Sequence, residues 1–214
     1  DTPKFEEIWH RCIDEMLINA KDHSDGDSRI VYGEELLHSL ERHDVIEKRL
    51  LECCASDNFE LRFMPIFNAK TLQIDGAECL IRCPALFDIK AGPDEFIPAA
   101  EKSNLISKLD MWVISTAIKS YKELSEIHQY KGTLSINISA MELYNRNFAD
   151  NIRKVLERYQ VPPGNIIIEI TETSYVKSSK LTVQTIESIR SLGLKVSLDD
   201  FGTGYTAFNQ LLHY

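Results

Sequence analysis

The chain has 214 residues, 43% of them hydrophobic and 27% charged, enough apolar material for one large domain or one domain plus a remnant. Its formal net charge of −9 excludes a global basic field for polymeric nucleic acid, although local cations or metals could still hold a nucleotide. No apolar run approaches the roughly 18 residues of a membrane span, Asp1-Thr2-Pro3-Lys4 carries no secretory pattern, and five cysteines without a CxxC fit reduced thiols; a cytoplasmic location is expected, with tethering through an upstream segment left open.

Residues 6–21 place Ile8, Cys12, Met16 and Leu17 at helical spacing, and Ser28 to Tyr32 reads as a short strand. Residues 34–55 read as a second helix, with Leu36, Leu37, Leu40, Ile46, Leu50 and Leu51 apolar. From residue 59 the texture changes. Phe59 to Phe67 and Gln73 to Arg82 read as paired strands across Asn68-Ala69-Lys70-Thr71. Residues 98–128 read as one long helical region. Leu134 to Ile138 is a short strand, and Ser139-Ala140-Met141-Glu142 has the S-x-x-E form of a capping box. Phe148, Ile152, Val155, Leu156 and Tyr159 mark an amphipathic helix ended by Val161-Pro162-Pro163-Gly164. Asn165 to Ile170 is a strand, Val183 to Leu192 a helix with Gly193 suited to the position after it, and Leu194 to Leu198 a last strand.

A hairpin followed by strand–helix repeats favours a parallel sheet with crossover helices. Polar groups recur at or near the strand ends: Glu78, Asn137, Glu169 with Glu172 just beyond, and the pair Asp199-Asp200. That recurrence favours a β/α barrel, where such ends gather on one face. Crowded carboxylates repel one another, and a divalent cation relieves this. Oxygen-only donors suit Mg²⁺, Mn²⁺ or Ca²⁺ rather than zinc. Each of these residues alone reads more readily as a cap, a turn, a loop hydrogen-bonder or a solvated side chain; the repetition carries the reading. Arg82 lies four positions past Glu78, on the same side of its strand, and could pair with a phosphate or with a surface carboxylate. The glycines of Phe201-Gly202-Thr203-Gly204-Tyr205 allow close approach to a ligand, or a plain loop. Cys79 and Cys83 lack a second cysteine cluster and read as small, partly buried side chains rather than a soft-metal pair.

Glu78-Cys79-Leu80-Ile81-Arg82 resembles the E-A-L-L-R signature of the EAL domains, with Cys79 in place of Ala. Asn137-Ile138-Ser139 resembles that family's N-x-S, Glu169-Ile170-Thr171-Glu172 its E-x-T-E, and Asp199 to Tyr205 its D-D-F-G-T-G-Y; Phe96 to Glu101 resembles a further stretch. Order and spacing agree over about residues 45 to 214. The resemblance implies a modified β/α (TIM-like) barrel with an antiparallel first strand. It also implies a phosphodiesterase that opens cyclic di-GMP to linear pGpG in bacterial signalling. By the same likeness, Glu78, Asn137, Glu169 and Asp199 hold one Mg²⁺ or Mn²⁺ and Asp200 helps hold a second. Glu172 anchors the loop that aims Asp200, Arg82 contacts phosphate, and Leu80 packs near a guanine. A homodimer and an upstream sensory or GGDEF domain are implied for the intact protein.

Three departures bear on function. Met64 stands where the family commonly has Gln, so a polar contact to ligand or water is lost. Cys83 replaces a usual aromatic. The chain stops at Tyr214, before the segments that carry the family's later Lys, Glu and Gln, so this stretch alone is expected to be inactive and its barrel incomplete. Residues 1–44 read either as the tail of a GGDEF domain or as a helical linker; no GG[DE]EF signature is present. The alternatives to hydrolysis are a degenerate receptor that binds cyclic di-GMP without cutting it and a scaffold acting through protein contacts alone.

Overall fold

The computed structural model describes residues 34–171 and 180–199. The helix of residues 6–21, the strand of 28–32, Glu172, Asp200 and the Phe201–Tyr205 loop lie outside the described residues. The chain divides into two compact units at Lys48/Arg49. Helix α1 (Glu34–Ser56) begins in the first and ends in the second. In the second unit, Arg49 of α1 pairs with Asp88, and Lys108 donates to the Cys54 carbonyl.

Strands β1 (Glu60–Phe67) and β2 (Ile74–Arg82) form the expected antiparallel hairpin. Asn68 closes it by accepting the N–H groups of Lys70 and Thr71 at 3.0 and 3.2 Å. Next come α2 (Pro93–Lys102), α3 (Ile106–Ile127), β3 (Thr133–Asn137), α4 (Phe148–Tyr159), β4 (Ile166–Thr171), α5 (Lys180–Ser191) and β5 (Lys195–Asp199). The described sheet runs in the order β1-β2-β3-β4-β5 and is not closed. β1 is antiparallel to β2, and β2 through β5 are mutually parallel. Pro65 is tolerated because β1 is an edge strand among the described residues, where a missing N–H breaks no ladder on its outer side.

The long helical region of residues 98–128 is instead two helices. α2 starts earlier, with Pro93 in its first turn followed by Asp94 and Glu95, a start favoured by the fixed φ of proline and the positive helix end. It stops at Lys102 because Asn104 takes a left-handed φ of 58°. The Leu105 N–H then bonds back to the Ala100 carbonyl at 2.8 Å and the Asn104 N–H to that of Glu101 at 3.2 Å. That pairing is a Schellman stop, with asparagine doing what glycine more often does. Apolar spacing continues across it, so periodicity alone could not find the break.

The core lies between one face of the sheet and the helices. Ala77 and Cys79 of β2, Leu134 and Ile136 of β3, and Ile166, Ile168 and Ile170 of β4 meet Ile114 and Ile118 of α3, Phe148 and Ile152 of α4 and Ile189 of α5. Gly193 follows α5 with φ 91°, and a Cβ there would come within 3.0 Å of Pro163. Gly193→Ala is therefore expected to cost about 1–2 kcal/mol and to lower Tm by about 2–8 °C. A thermal melt beside the wild type reads this, and an unchanged midpoint would show that the turn relaxes freely. No helix of the described residues is long and apolar enough to cross a membrane.

Candidate active site at the strand ends

Alternation along a strand decides which residues share a face. Ala77 and Cys79 face the helices, so Glu78, Leu80 and Arg82 face the other way. On β3, Leu134 and Ile136 take the helix side and Asn137 the opposite one. On β4 and β5 the same parity puts Glu169 and Asp199 on that opposite face, while Ile168, Ile170, Val196 and Leu198 pack toward the core. The registers agree. Asn137 is level with Glu169, Glu78 is level with Ser135 two positions before Asn137, and Asp199 is level with Thr171 two positions after Glu169. Four adjacent parallel strands thus deliver Glu78, Asn137, Glu169 and Asp199 to one face near their C-terminal ends.

The contacts there are polar and directional. Asn137 Nδ2 donates to Glu78 Oε1 at 2.7 Å, which fixes the orientation of the amide. Ser197 Oγ donates to Glu169 Oε1 at 3.4 Å. Burial pushes the Glu169 carboxyl above its ordinary pKa; Ser135 and Ser197 oppose this by hydrogen bonding, while Glu78 and Asp199 reinforce it by repulsion. The donors are hard oxygens with mutual repulsion, so they fit a hard divalent cation by chemistry. They do not converge fully. The one group of three or more His, Cys, Asp or Glu side chains among the described residues with ligand atoms all within 4.8 Å of one another is His43, Asp44 and Glu47 on α1, in the other unit. Glu78, Glu169 and Asp199 are spaced more widely than that.

A cavity of about 990 Å³ opens beside these strand ends. Leu80, Arg82, Asn137 and Asp199 line it, with Ile97 and Pro98 of α2 and Tyr144 beyond β3. Arg82 is partly buried and donates to the Ile81 carbonyl at 2.8 Å. Met64 is the cross-strand partner of Glu78, so an apolar side chain stands beside that carboxylate where sequence reasoning noted a lost polar contact. Cys79 points to the core, and burial pushes its thiol up to about 12.

The capping box expected at Ser139 is only half formed. Ser139 Oγ accepts the Met141 N–H at 3.2 Å and starts a short 3-10 helix, Ala140–Tyr144. Glu142 does not reach back. It is fully buried, with Oε2 accepting from Asn145 Nδ2 at 3.0 Å and Oε1 without a hydrogen-bond partner among the described residues. The Ser139 N–H goes instead to Asp110 Oδ2 at 3.1 Å, and Ser139 Oγ donates to Glu101 Oε1 at 2.5 Å. Burial pushes Asp110 up to about 8; the Ser139 N–H works against the shift, and Glu142 and Glu101 add to it. Sequence reasoning singled out neither Asp110 nor Glu101 as site residues. The available signal was a carboxylate set among the apolar positions of α3, between Leu109 and Val113.

Residues 47–214 match the EAL domain. The chain belongs to the EAL domain family. Over 208 residues, 94% of the chain, it is 31% identical to the biofilm architecture maintenance protein MbaA of Vibrio cholerae, and it spans 26% of that protein. Over 180 residues, 84% of the chain, it is 28% identical to the cyclic di-GMP phosphodiesterase NbdA of Pseudomonas aeruginosa, spanning 22% of it. The chain thus covers about a quarter of the length of these relatives. The EAL enzyme Bd1971, solved with cAMP and cyclic di-GMP bound, superposes with a TM-score of 0.70 at 26% identity, over 84% of this chain and 48% of that one. The EAL fold, a TIM-like barrel whose first strand is antiparallel, accounts for the strand order and for the shared face of the four polar strand ends.

Proposed function

We propose that this EAL domain is the catalytic part of a cyclic di-GMP phosphodiesterase that hydrolyses one phosphodiester to give linear pGpG. The observation that carries this reading is the placement of Glu78, Asn137, Glu169 and Asp199 on one face of four adjacent strands, beside a cavity large enough for a nucleotide ligand. The likeness to NbdA and to Bd1971 supports the choice of ligand. In this reading Glu78, Asn137, Glu169 and Asp199 hold Mg²⁺ or Mn²⁺, and Asp200 contributes toward a second ion. Such ions lower the pKa of a bound water and neutralise charge on a phosphoryl group. The chain's own side chains do the rest. Arg82 donates to a phosphate oxygen with its planar fork. Leu80, beside it on the cavity wall, packs against a base. Glu78 holds the Asn137 amide by its Nδ2, which turns Oδ1 away from Glu78 and frees it to act as a metal ligand.

The test is chromatography of cyclic di-GMP incubated with the intact protein and Mg²⁺ or Mn²⁺. Accumulation of pGpG that stops on chelation supports the reading. Binding without product would establish the receptor alternative, and neither binding nor product would leave the scaffold. The receptor reading has one observation of its own, the apolar Met64 opposite Glu78. Met64→Gln is expected to raise kcat/KM about 2–10-fold by restoring one hydrogen bond to ligand or water. Steady-state kinetics checks this, and a variant no faster than wild type would show that Met64 is no handicap.

A further inference from the structure

The backbone that carries Asn137 is gripped just beyond it. The Ile138 N–H donates to the Glu169 carbonyl at 3.1 Å. One residue later, Ser139 is held from two helices at once: Asp110 of α3 takes its N–H, and Glu101 of α2 takes its hydroxyl hydrogen. Asp110 is 6% exposed and Ser139 9%, so water competes poorly for either bond. A local capping box would have used Glu142 for the Ser139 N–H; the fold uses a residue 29 positions upstream instead. A contact so distant in sequence ties the strand end to the helix layer rather than to its own turn.

We infer that Glu101 and Asp110 are positioning residues that clamp Ser139 and thereby set the reach of Asn137 toward Glu78 and the reacting phosphate. This rests on the phosphodiesterase reading; both carboxylates, like Ser139, also line the cavity of about 990 Å³, and the role assigned to them is to act through Ser139, which the split between kcat and KM separates from direct contact with the ligand. Asn137 lies two residues before the clamp, so a loosened Ser139 lets the amide swing away from the 2.7 Å bond to Glu78. Misplacement of such a group lowers the rate far more than it lowers ground-state binding.

The test compares Glu101→Ala, Asp110→Ala and Ser139→Ala with the conservative Glu101→Gln and Asp110→Asn in the intact protein. The alanine variants are expected to lose about 10–100-fold in kcat, as outer supports of a metal site do, with KM within about threefold. The conservative variants, which keep an acceptor oxygen, restore most of the rate. Glu101→Ala combined with Ser139→Ala loses no more than Ser139→Ala alone, because the serine change already removes the Glu101 bond together with the cap on the Met141 N–H. A raised KM with unchanged kcat would make these residues ligand contacts and overturn the clamp; additive losses, or an Asp110→Asn as impaired as Asp110→Ala, would overturn it as well. If the wild type makes no pGpG, the phosphodiesterase reading fails, and amide hydrogen exchange then decides the clamp alone. The Ser139 amide should exchange at least about fivefold faster in Asp110→Ala than in Asp110→Asn, and equal rates would sink the clamp. Should Asp110→Ala fail to fold, the Glu101 and Ser139 variants carry the same comparison.

Discussion

Glu78→Ala is expected to lower cyclic di-GMP hydrolysis at least about a thousandfold, on the several kcal/mol that metal-assisted charge stabilisation supplies and about tenfold per 1.4 kcal/mol. Two losses coincide in that variant. One hard oxygen leaves the shared face of the sheet, and Asn137 Nδ2 loses the acceptor it holds at 2.7 Å. Glu78→Gln separates them. Its amide oxygen can still take the Asn137 proton, but it carries no charge, so the rate should fall nearly as far. Neither change should disturb the fold, because Glu78 lies on the face away from the core formed by Ala77 and Cys79. Kinetics with a matched thermal melt checks this. A Glu78→Gln variant with more than about a tenth of wild-type activity would remove Glu78 from the metal-holding role.

Stability should fall as pH rises from about 4 to about 8, and Asp110→Asn should remove that part of the slope. The folded Asp110 carboxyl sits at about 8, raised first by burial, against roughly 3.9 in an unfolded chain. Below pH ~4 it is protonated in both states. Between the two values the unfolded chain gives up the proton and the folded chain keeps it. The folded state then binds more protons, so stability declines with rising pH and levels off once the folded group also ionises. The contribution is on the order of 5 kcal/mol at most, from about 1.4 kcal/mol for each tenfold difference in proton affinity between the two states. Ser139, Glu142 and Glu101 surround the group in wild type and variant alike, and Glu169, shifted in the same direction, is common to both. The difference between the two proteins therefore isolates Asp110. Urea unfolding at several pH values measures it; parallel curves would show that Asp110 is already ionised in the folded state at low pH.

Residues and spacing alone carried much of this protein. The strand–helix alternation, the hairpin, the amphipathic stripe of α4 and the glycine after α5 were legible because each is a local pattern of apolar positions and turn residues. The recurring carboxylates and the amide at strand ends pointed to one site, and strand parity with parallel register placed Glu78, Asn137, Glu169 and Asp199 on a single face as expected. The break between α2 and α3 was hidden, because the apolar spacing runs through it and the decision falls to one left-handed asparagine. The partner of Ser139 was hidden for a deeper reason. A short sequence motif offers Glu142 as its cap, and only packing of α3 against the end of β3 brings Asp110 within 3.1 Å and buries Glu142 elsewhere. Local sequence sets which groups can bond; which of them do is decided by burial, since a desolvated N–H must take the acceptor that the tertiary structure puts beside it.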